Sequence, residues 1–414
     1  MFSEKDDTEQ SESRSGDDGD GRTTIVPASD GTGSRFDRRR FLGGVGGIGV
    51  LSSLSGFARL KNGRADRSVV GVSSRNPSSR TERPPAAYSA TDLGTLGGAE
   101  STATSISRRG YVVGTSQRAD LVPHAFLWSE RDGMQDLGTL TDRTSRATDI
   151  NGHCHVVGAS RVTDIWERDT GTRTKIYPEH AIRWSREGGM RDIYSSDGQN
   201  SVATAINDRG DIVGTFHYYG EVTLEGFVLW ADGDCSDRLW RSPRSSSGDF
   251  LVPADIDTDG RIVGTSFGVE PVSGDAFMWS EDEGERALGT LGGQEGEATA
   301  INDRGQVVGN SQTADGTVHA FVWSPDEGMS DLGTLGGNYS EATDVNDRGQ
   351  VVGNSQTADG TVHAFIWSPD EGMRDLGTLG GDYSRANGIN EREQIVGESR
   401  TDGGSPHATL WSRE

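Results

Sequence analysis

The sequence predicts an all-β fold built from seven copies of a four-stranded unit. Residues 301–337 and 345–381 match at 34 of 37 positions and differ only at Ile301/Val345, Val322/Ile366 and Ser330/Arg374. A tryptophan that ends an apolar strand recurs at steps of 44 to 56 residues, at Trp128, Trp184, Trp230, Trp279, Trp323, Trp367 and Trp411. A Val-Gly pair recurs beside it, ending at Gly114, Gly158, Gly214, Gly264, Gly309, Gly353 and Gly397. These repeats indicate recurring structural units rather than a single specialised site.

Each unit divides into four strands. In the copy that begins at Glu341, "EATDV", "QVVGNSQT", "VHAFIWS" and "RDLGTL" are the strand segments, and "NDRG", "ADG" and "PDEGM" are turns. The third strand alternates, with Val362, Ala364 and Ile366 on one face and His363, Phe365 and Trp367 on the other. The small first strand is expected to be innermost and "DLGTL" outermost, with the aromatic residues filling the gaps between neighbouring sheets.

The two ends of the repeat region complement each other. The last unit stops at Glu414 without its "DLGTLGG" segment, while a spare copy stands at Thr91–Gly98, before the first unit. A four-stranded unit that recurs in this way is typical of a propeller blade. The sequence therefore predicts a seven-bladed β-propeller over residues 88–414, with Tyr88–Leu96 completing the blade formed by Asp382–Glu414.

The first 87 residues predict a targeting region. Residues 1–34 are acidic and polar, so we expect a disordered extension. Residues 35–58 contain Arg38, Arg39, Phe41 and Leu42, followed by a short apolar stretch, and resemble a twin-arginine export signal. Residues 59–87 are expected to be a polar linker. The protein is therefore expected outside the cell or at its surface.

The composition limits the possible partners. The net charge is −24, and only three of the 40 basic residues are lysine, a balance that resembles proteins of salt-loving archaea. Nucleic acid is not expected as a partner, because phosphate binding needs clustered basic residues. No stretch is apolar for long enough to predict a transmembrane helix. A monomer is compatible with the sequence.

A family resemblance is carried by "HAFVW", "INDRGQVVG" and "DLGTLGG". Residues 88–414 resemble the HAF repeat, a family of extracellular repeat proteins of bacteria and archaea. The resemblance implies an exported repeat protein and brings no established activity or catalytic residue. The histidine of the motif is replaced by Gly226 in the third unit and by Asp275 in the fourth. The remaining histidines are expected to form structural hydrogen bonds between blades rather than to hold a metal.

Two local motifs suggest further chemistry. Asp255, Asp257 and Asp259 in "DIDTDG" match the opening of a calcium loop, although the same segment also fits the ordinary turn of the repeat. No other cofactor is expected. Asn338 in "NYS" is a candidate glycosylation site.

The sequence predicts a binding or structural module without an identifiable catalytic centre. Its irregular residues lie in two insertions, 161–179 with Trp166 and Tyr177, and 231–249 with Trp240. The expected partner is a glycan or a surface protein. The alternative is an extracellular hydrolase or lyase directed at glycans, which would bring carboxylates from several blades together on the central face.

Overall fold

The computed structural model describes residues 87–167, 173–194, 199–218, 224–231, 239–241, 250–267 and 274–414. Every regular element in these residues is a β-strand. Residues 1–86, which contain the expected extension, the export signal and nearly all of the linker, lie outside the described residues. No helix in the described part has the length and apolarity needed to cross a bilayer.

The strands are short and follow the repeat. In chain order they are β1 Tyr88–Asp92, β2 Gly97–Ile106, β3 Val112–Arg118, β4 Pro123–Ser129, β5 Gly133–Asp136, β6 Ser145–Ile150, β7 Val156–Arg161, β8 Asp164–Glu167, β9 Arg173–Ile176, β10 Glu179–Ser185, β11 Gly189–Tyr194, β12 Gln199–Ile206, β13 Ile212–Tyr218, β14 Glu225–Leu229, β15 Leu239–Arg241, β16 Phe250–Ile256, β17 Ile262–Phe267, β18 Gly274–Ser280, β19 Gly284–Ala287, β20 Gly292–Ile301, β21 Val307–Thr313, β22 Val318–Ser324, β23 Gly328–Asp331, β24 Gly336–Val345, β25 Val351–Thr357, β26 Val362–Ser368, β27 Gly372–Asp375, β28 Gly380–Ile389, β29 Ile395–Thr401 and β30 Pro406–Arg413.

The strands form antiparallel sheets of four. Five sheets have the orders β2-β3-β4-β5, β6-β7-β10-β11, β12-β13-β14-β15, β16-β17-β18-β19 and β28-β29-β30-β1. The strands β20 to β27 form two further sets of four, which are joined by one parallel pair between Val318 and Tyr339. β8 and β9 form a separate hairpin in the first insertion. The described chain is therefore all-β, as the sequence predicts.

The opening strand β1 pairs with the last strand β30, so the prediction that the two ends of the repeat region share a sheet is confirmed. Ala90 lies opposite Trp411, and Tyr88 lies opposite Arg413. The same final sheet also contacts the first one, because the Asn387 side-chain amide donates a hydrogen bond of 2.8 Å to the Ala103 carbonyl.

Apolar side chains that point alternately to the two faces of the third strand hold neighbouring sheets together. Ala364 and Ile366 pack with Trp411 of the next sheet, while Phe365 packs with Val308 of the preceding one. The equivalent phenylalanines are at most 2% exposed, at Phe126, Phe227, Phe277, Phe321 and Phe365. The predicted role of this strand as filler between sheets is confirmed.

The turn after each first strand also links neighbouring sheets. The Asn346 oxygen accepts backbone N–H groups from Arg348 and Gln350, each at 3.1 Å, which fixes the turn. Its amide nitrogen donates to the carbonyl of Asn390 in the next sheet at 3.2 Å. Asn302 makes the equivalent bond to Asn346. One side chain thus specifies a turn and a sheet-to-sheet contact.

The glycine of the Val-Gly pair is required by close backbone packing. A Cβ on Gly353 would lie 2.0 Å from the carbonyl oxygen of Glu341, and one on Gly309 would lie 1.9 Å from that of Glu297. These distances are too short for any side chain, so the second strand needs glycine where it packs against the backbone of the first strand.

The prediction of a fourth strand at "RDLGTL" is wrong in its position. The strand β27 ends at Asp375, and the first strand of the next sheet begins at Gly380. Asp375 ends the strand because its carboxylate accepts the N–H of Gly377 at 2.7 Å, and Gly377 has a left-handed φ of 73°. Leu376 is buried and bonds through its N–H to Ala364. "LGTL" is therefore a connection between sheets.

Candidate functional site

Three aspartates occupy equivalent positions near the ends of first strands. Asp149 lies on β6, Asp255 on β16 and Asp344 on β24. The equivalent position in the other units holds Ser105, Ala205, Ala300 and Gly388. Carboxylates therefore alternate with small side chains from one sheet to the next.

Each of these carboxylates joins two sheets. Asp344 accepts the N–H of Val345 in its own strand and that of Ile389 in the next sheet, both at 2.8 Å. Asp255 bonds in the same way to Ile256 and Ile301, and Asp149 to Ile150 and Ile206. Two backbone donors thus engage both oxygens of each carboxylate.

Desolvation makes these carboxyl groups hard to ionise, although each residue keeps some exposure. It raises the pKa of Asp344 to about 7 and raises the pKa of Asp149 as well. Burial also raises the pKa of Asp255 well above its ordinary value, and the charges of Asp149 and Asp344 raise it further. Carboxylates from several sheets do converge, but their oxygens are engaged in joining strands.

The turns beside these strands add a second set of charges. Arg108 places its guanidinium 3.2 Å from Asp208 and 2.9 Å from Asp303, which lie in the turns of the third and fifth units. The carboxylate of Asp347 accepts the N–H of Asp303 at 3.0 Å, and Glu391 accepts that of Asp347 at 2.8 Å. Side chains from non-adjacent units therefore meet at this end of the sheets.

The repeat histidines bond to aspartates within a sheet. The Nδ1 atom of His363 lies 2.7 Å from Asp375, on the neighbouring strand. The same pair recurs as His124–Asp136, His180–Asp192, His319–Asp331 and His407–Asp92. The expectation of hydrogen bonds between blades is wrong, because the partner is the strand-ending aspartate of the same sheet.

The three aspartates of "DIDTDG" point to different partners. Asp255 is engaged between two strands, as described above. Asp257 accepts the N–H groups of Asp259 and Arg261 at 3.0 and 2.8 Å and pairs with the Arg261 guanidinium. The Asp259 side chain is 74% exposed. Among the described residues, no cluster of three or more His, Cys, Asp or Glu side chains is arranged to hold a metal ion. The calcium site stays a prediction.

The residues singled out in the insertions lie apart from these contacts. Tyr177 is 45% exposed, and the Arg143 guanidinium lies 4.1 Å from its ring centre. Trp166 and Trp240 belong to strands β8 and β15, but their side chains lie outside the described part. Asn338 is exposed on β24, and its backbone N–H donates to Gln356 at 3.1 Å.

A recess lies between the last two sheets, beside the joined chain ends. We call it the seam cleft; it has a volume of about 320 Å³, and the residues that shape it include Tyr88, Arg348, Ile366, Arg374, Glu393 and Arg413. The Arg374 guanidinium lies 5.4 Å from the Tyr88 ring centre and pairs with Glu371. The cleft brings strand β1 together with the turns of two repeats.

Glu393 occupies an unusual position in this cleft. Most of the other units have glycine at this point of the turn, and Glu393 adopts a left-handed φ of 60°. Its carboxylate accepts the Tyr88 hydroxyl and lies 3.2 Å from Arg413. Burial raises the pKa of Glu393, but the hydrogen bonds from Tyr88 and Gln350 and the charge of Arg413 lower it overall. The sequence contained this signal, a glutamate in place of the turn glycine, and sequence reasoning missed it.

Comparisons with known proteins leave the family open. No protein-family model matches the sequence, and no curated protein sequence matches it. Among solved structures, an acylaminoacyl peptidase from Pyrococcus horikoshii has a TM-score of 0.48 at 10% identity over 77% of this chain. This chain spans about half (52%) of that peptidase. TolB from Acinetobacter baumannii has a TM-score of 0.39 at 12% identity, with coverage of 73% of this chain and 80% of that one. The BP39L lectin from Burkholderia pseudomallei has a TM-score of 0.42 at 7% identity, with coverage of 79% and 96%. None of these matches assigns an activity to this chain.

Proposed function

We propose that this chain is an exported binding module built on a seven-bladed β-propeller, and that the seam cleft is its binding site. The observation that carries the proposal is the cleft itself. Its volume of about 320 Å³ lies in the range of small-molecule sites, about 300–1,000 Å³. It combines guanidinium, carboxylate and aromatic groups at one place on a repetitive scaffold.

The closed ring is supported by contacts between the first and last units. Strand β1 completes the final sheet, and that sheet bonds to β2 through Asn387. Arg108 of the first unit reaches Asp208 and Asp303 in units that are not its neighbours. A linear stack of sheets would not allow this, because each unit would contact only its neighbours.

A binding role agrees better with the carboxylates than an enzymatic one. A general acid or base must reach the substrate proton. Asp149, Asp255 and Asp344 are only partly exposed, and backbone amides from two strands engage both oxygens of each. These bonds support a scaffold role for the converging carboxylates, which is why we favour binding over the acid–base chemistry of the hydrolase alternative.

Export through the twin-arginine route and membership of the HAF-repeat proteins are part of the proposal. They are supported by Arg38, Arg39, Phe41 and Leu42 and by the repeated phrases of residues 88–414. Replacing both Arg38 and Arg39 with lysine is expected to keep the protein inside the producing cell. Continued export of this variant would contradict the proposed route.

The binding role is tested with the purified full chain. It is screened against immobilised glycans and cell-surface proteins, beside a panel of glycoside hydrolase and lyase substrates. We expect saturable binding and no turnover. Turnover that is abolished by asparagine at position 149, 255 or 344 in a folded variant would overturn the proposal in favour of a hydrolase.

A further inference from the structure

We propose that the seam cleft binds a neutral saccharide, with Arg348 as a principal contact. This inference rests on the proposed binding function and names the ligand class. It follows from four features of the cleft: its balance of charges, its apolar surface, its prearranged side chains, and its divergence from an almost identical repeat.

The charged groups of the cleft are balanced. Three guanidinium groups, of Arg348, Arg374 and Arg413, face three carboxylates, of Asp370, Glu371 and Glu393. An anion would meet as many repelling as attracting groups. A sugar hydroxyl donates one hydrogen bond and accepts others, so it is matched by neighbouring arginine donors and carboxylate acceptors. The balance therefore favours a neutral polyhydroxylated ligand.

The cleft also offers apolar surface. The Tyr88 ring and Pro369 contribute to its lining, and the buried Ile366 borders it. A pyranose ring presents C–H groups on its faces and hydroxyls around its edge. Aromatic and aliphatic side chains cover such faces while polar groups bond to the edge. The combination of apolar and balanced polar groups is suited to one sugar ring or a short oligosaccharide.

Most of the polar groups are held in place before any ligand arrives. Glu393 is fixed by Tyr88 and Arg413, and Glu371 is fixed by Arg374. Prearranged groups lose less conformational entropy on binding. Arg348 is exposed, and no ion pair of its guanidinium occurs among the described residues, so it is free to donate to a ligand.

The fifth and sixth repeats provide an internal comparison. They differ at three of 37 positions, and two of the three differences, Val322/Ile366 and Ser330/Arg374, place a residue of the sixth repeat in the cleft. The divergence between two nearly identical units is thus concentrated at this recess. Arg304 is the counterpart of Arg348 and provides a matched control.

The experiment uses the full chain and a panel of free sugars: glucose, galactose, mannose, fucose, N-acetylglucosamine and glucuronate. Affinity is measured by titration calorimetry for the wild type, Arg348→Ala, Arg304→Ala and the double variant I366V/R374S, which gives the cleft the residues of the fifth repeat. Thermal melting checks that each variant is folded.

We expect a neutral sugar to bind, and we expect Arg348→Ala and the double variant to weaken binding by about tenfold or more, the effect of losing a charge-assisted hydrogen bond. Arg304→Ala should bind like the wild type. Equal affinity in Arg348→Ala and the wild type would overturn the cleft assignment and leave the binding function standing. Preference for glucuronate over every neutral sugar, or binding of no sugar beside saturable binding of a surface protein, would overturn the saccharide assignment alone.

Discussion

The Nδ1 atom of His407 lies 2.8 Å from the carboxylate of Asp92, although 315 residues separate them in sequence. The other His–Asp pairs of the repeat join residues 12 positions apart. This pair ties the opening strand β1 to the last strand β30, which has no covalent turn to hold the two together.

Replacing Asp92 with alanine should therefore loosen β1. The variant loses the bond to His407 and the bond from the Gly94 N–H, at 2.8 Å. We expect a loss of about 1–2 kcal/mol in the free energy of unfolding, measured in urea. Hydrogen exchange should also accelerate in residues 88–92.

Asp375→Ala is the matched control, because Asp375 makes the same two bonds beside a covalently closed turn. It should lose similar stability without faster hydrogen exchange confined to β27. Equal, slow exchange of β1 and β27 in both variants would contradict a special role for the Asp92 pair.

The raised pKa values of the three first-strand aspartates predict that stability falls as pH rises. Burial raises the pKa of Asp344 to about 7, whereas an unfolded aspartate ionises near pH 4. Between these two pH values the folded protein holds a proton that the unfolded chain releases. The free energy of unfolding therefore falls as pH rises, and the stabilisation from the raised pKa is lost once pH passes about 7. We expect the free energy of unfolding to fall by on the order of 1–3 kcal/mol between pH 5 and pH 8.

Asp344→Asn removes this titrating group and one of its acceptors. The variant should be less stable than the wild type at pH 5, because the N–H of Val345 or Ile389 loses its partner. The difference should narrow toward pH 8. Parallel pH curves for the two proteins would show that Asp344 does not titrate in this interval.

The turn at Asp257 distinguishes a structural role from a calcium site. Five other units carry asparagine at this position, so Asp257→Asn should retain the two backbone bonds and cost less than about 1 kcal/mol. Asp257→Ala loses both bonds and should cost about 1–3 kcal/mol. Millimolar calcium or EDTA should leave the Tm unchanged. A rise of Tm in calcium that disappears in Asp257→Asn would instead establish the site.

The close packing of the first two strands at Gly353 predicts that a single added methyl group strongly lowers stability. Gly353→Ala places a Cβ 2.0 Å from the Glu341 carbonyl oxygen, so the first two strands must separate. We expect a loss of about 3 kcal/mol or more by denaturant unfolding. Gly403→Ala is the control, because its Cβ would come no closer than 3.5 Å to the Thr401 hydroxyl. A mild effect at Gly353 would mean that the sheet can spread there at little cost.

The sequence predicts the strands correctly where a repeated residue has a single structural role. The turn asparagines, the Val-Gly pair and the alternating third strand all lie where the repeat places them. The leucines of "DLGTL" suggested a strand, whereas the aspartate forms a local turn and Leu376 is buried among apolar residues of the last two sheets.

The candidate site was harder to predict because its residues are distant in sequence. Tyr88 and Arg413 meet only when the chain ends pair, and neither is unusual by itself. The alternation of Asp149, Asp255 and Asp344 with small residues is visible when the repeats are aligned. The role of these aspartates as bridges could not be predicted, because it depends on a backbone amide that the neighbouring strand presents at that point.

The pairing of β1 with β30 also sets the order of assembly. During synthesis β1 emerges before any other strand of the repeat region, and its partner is the last strand to be made. The intermediate sheets can form one after another, whereas the final sheet requires a contact across more than three hundred residues. Contacts of such long range form slowly, so release of the chain from the ribosome before residue 406 would leave β1 without its partner strand.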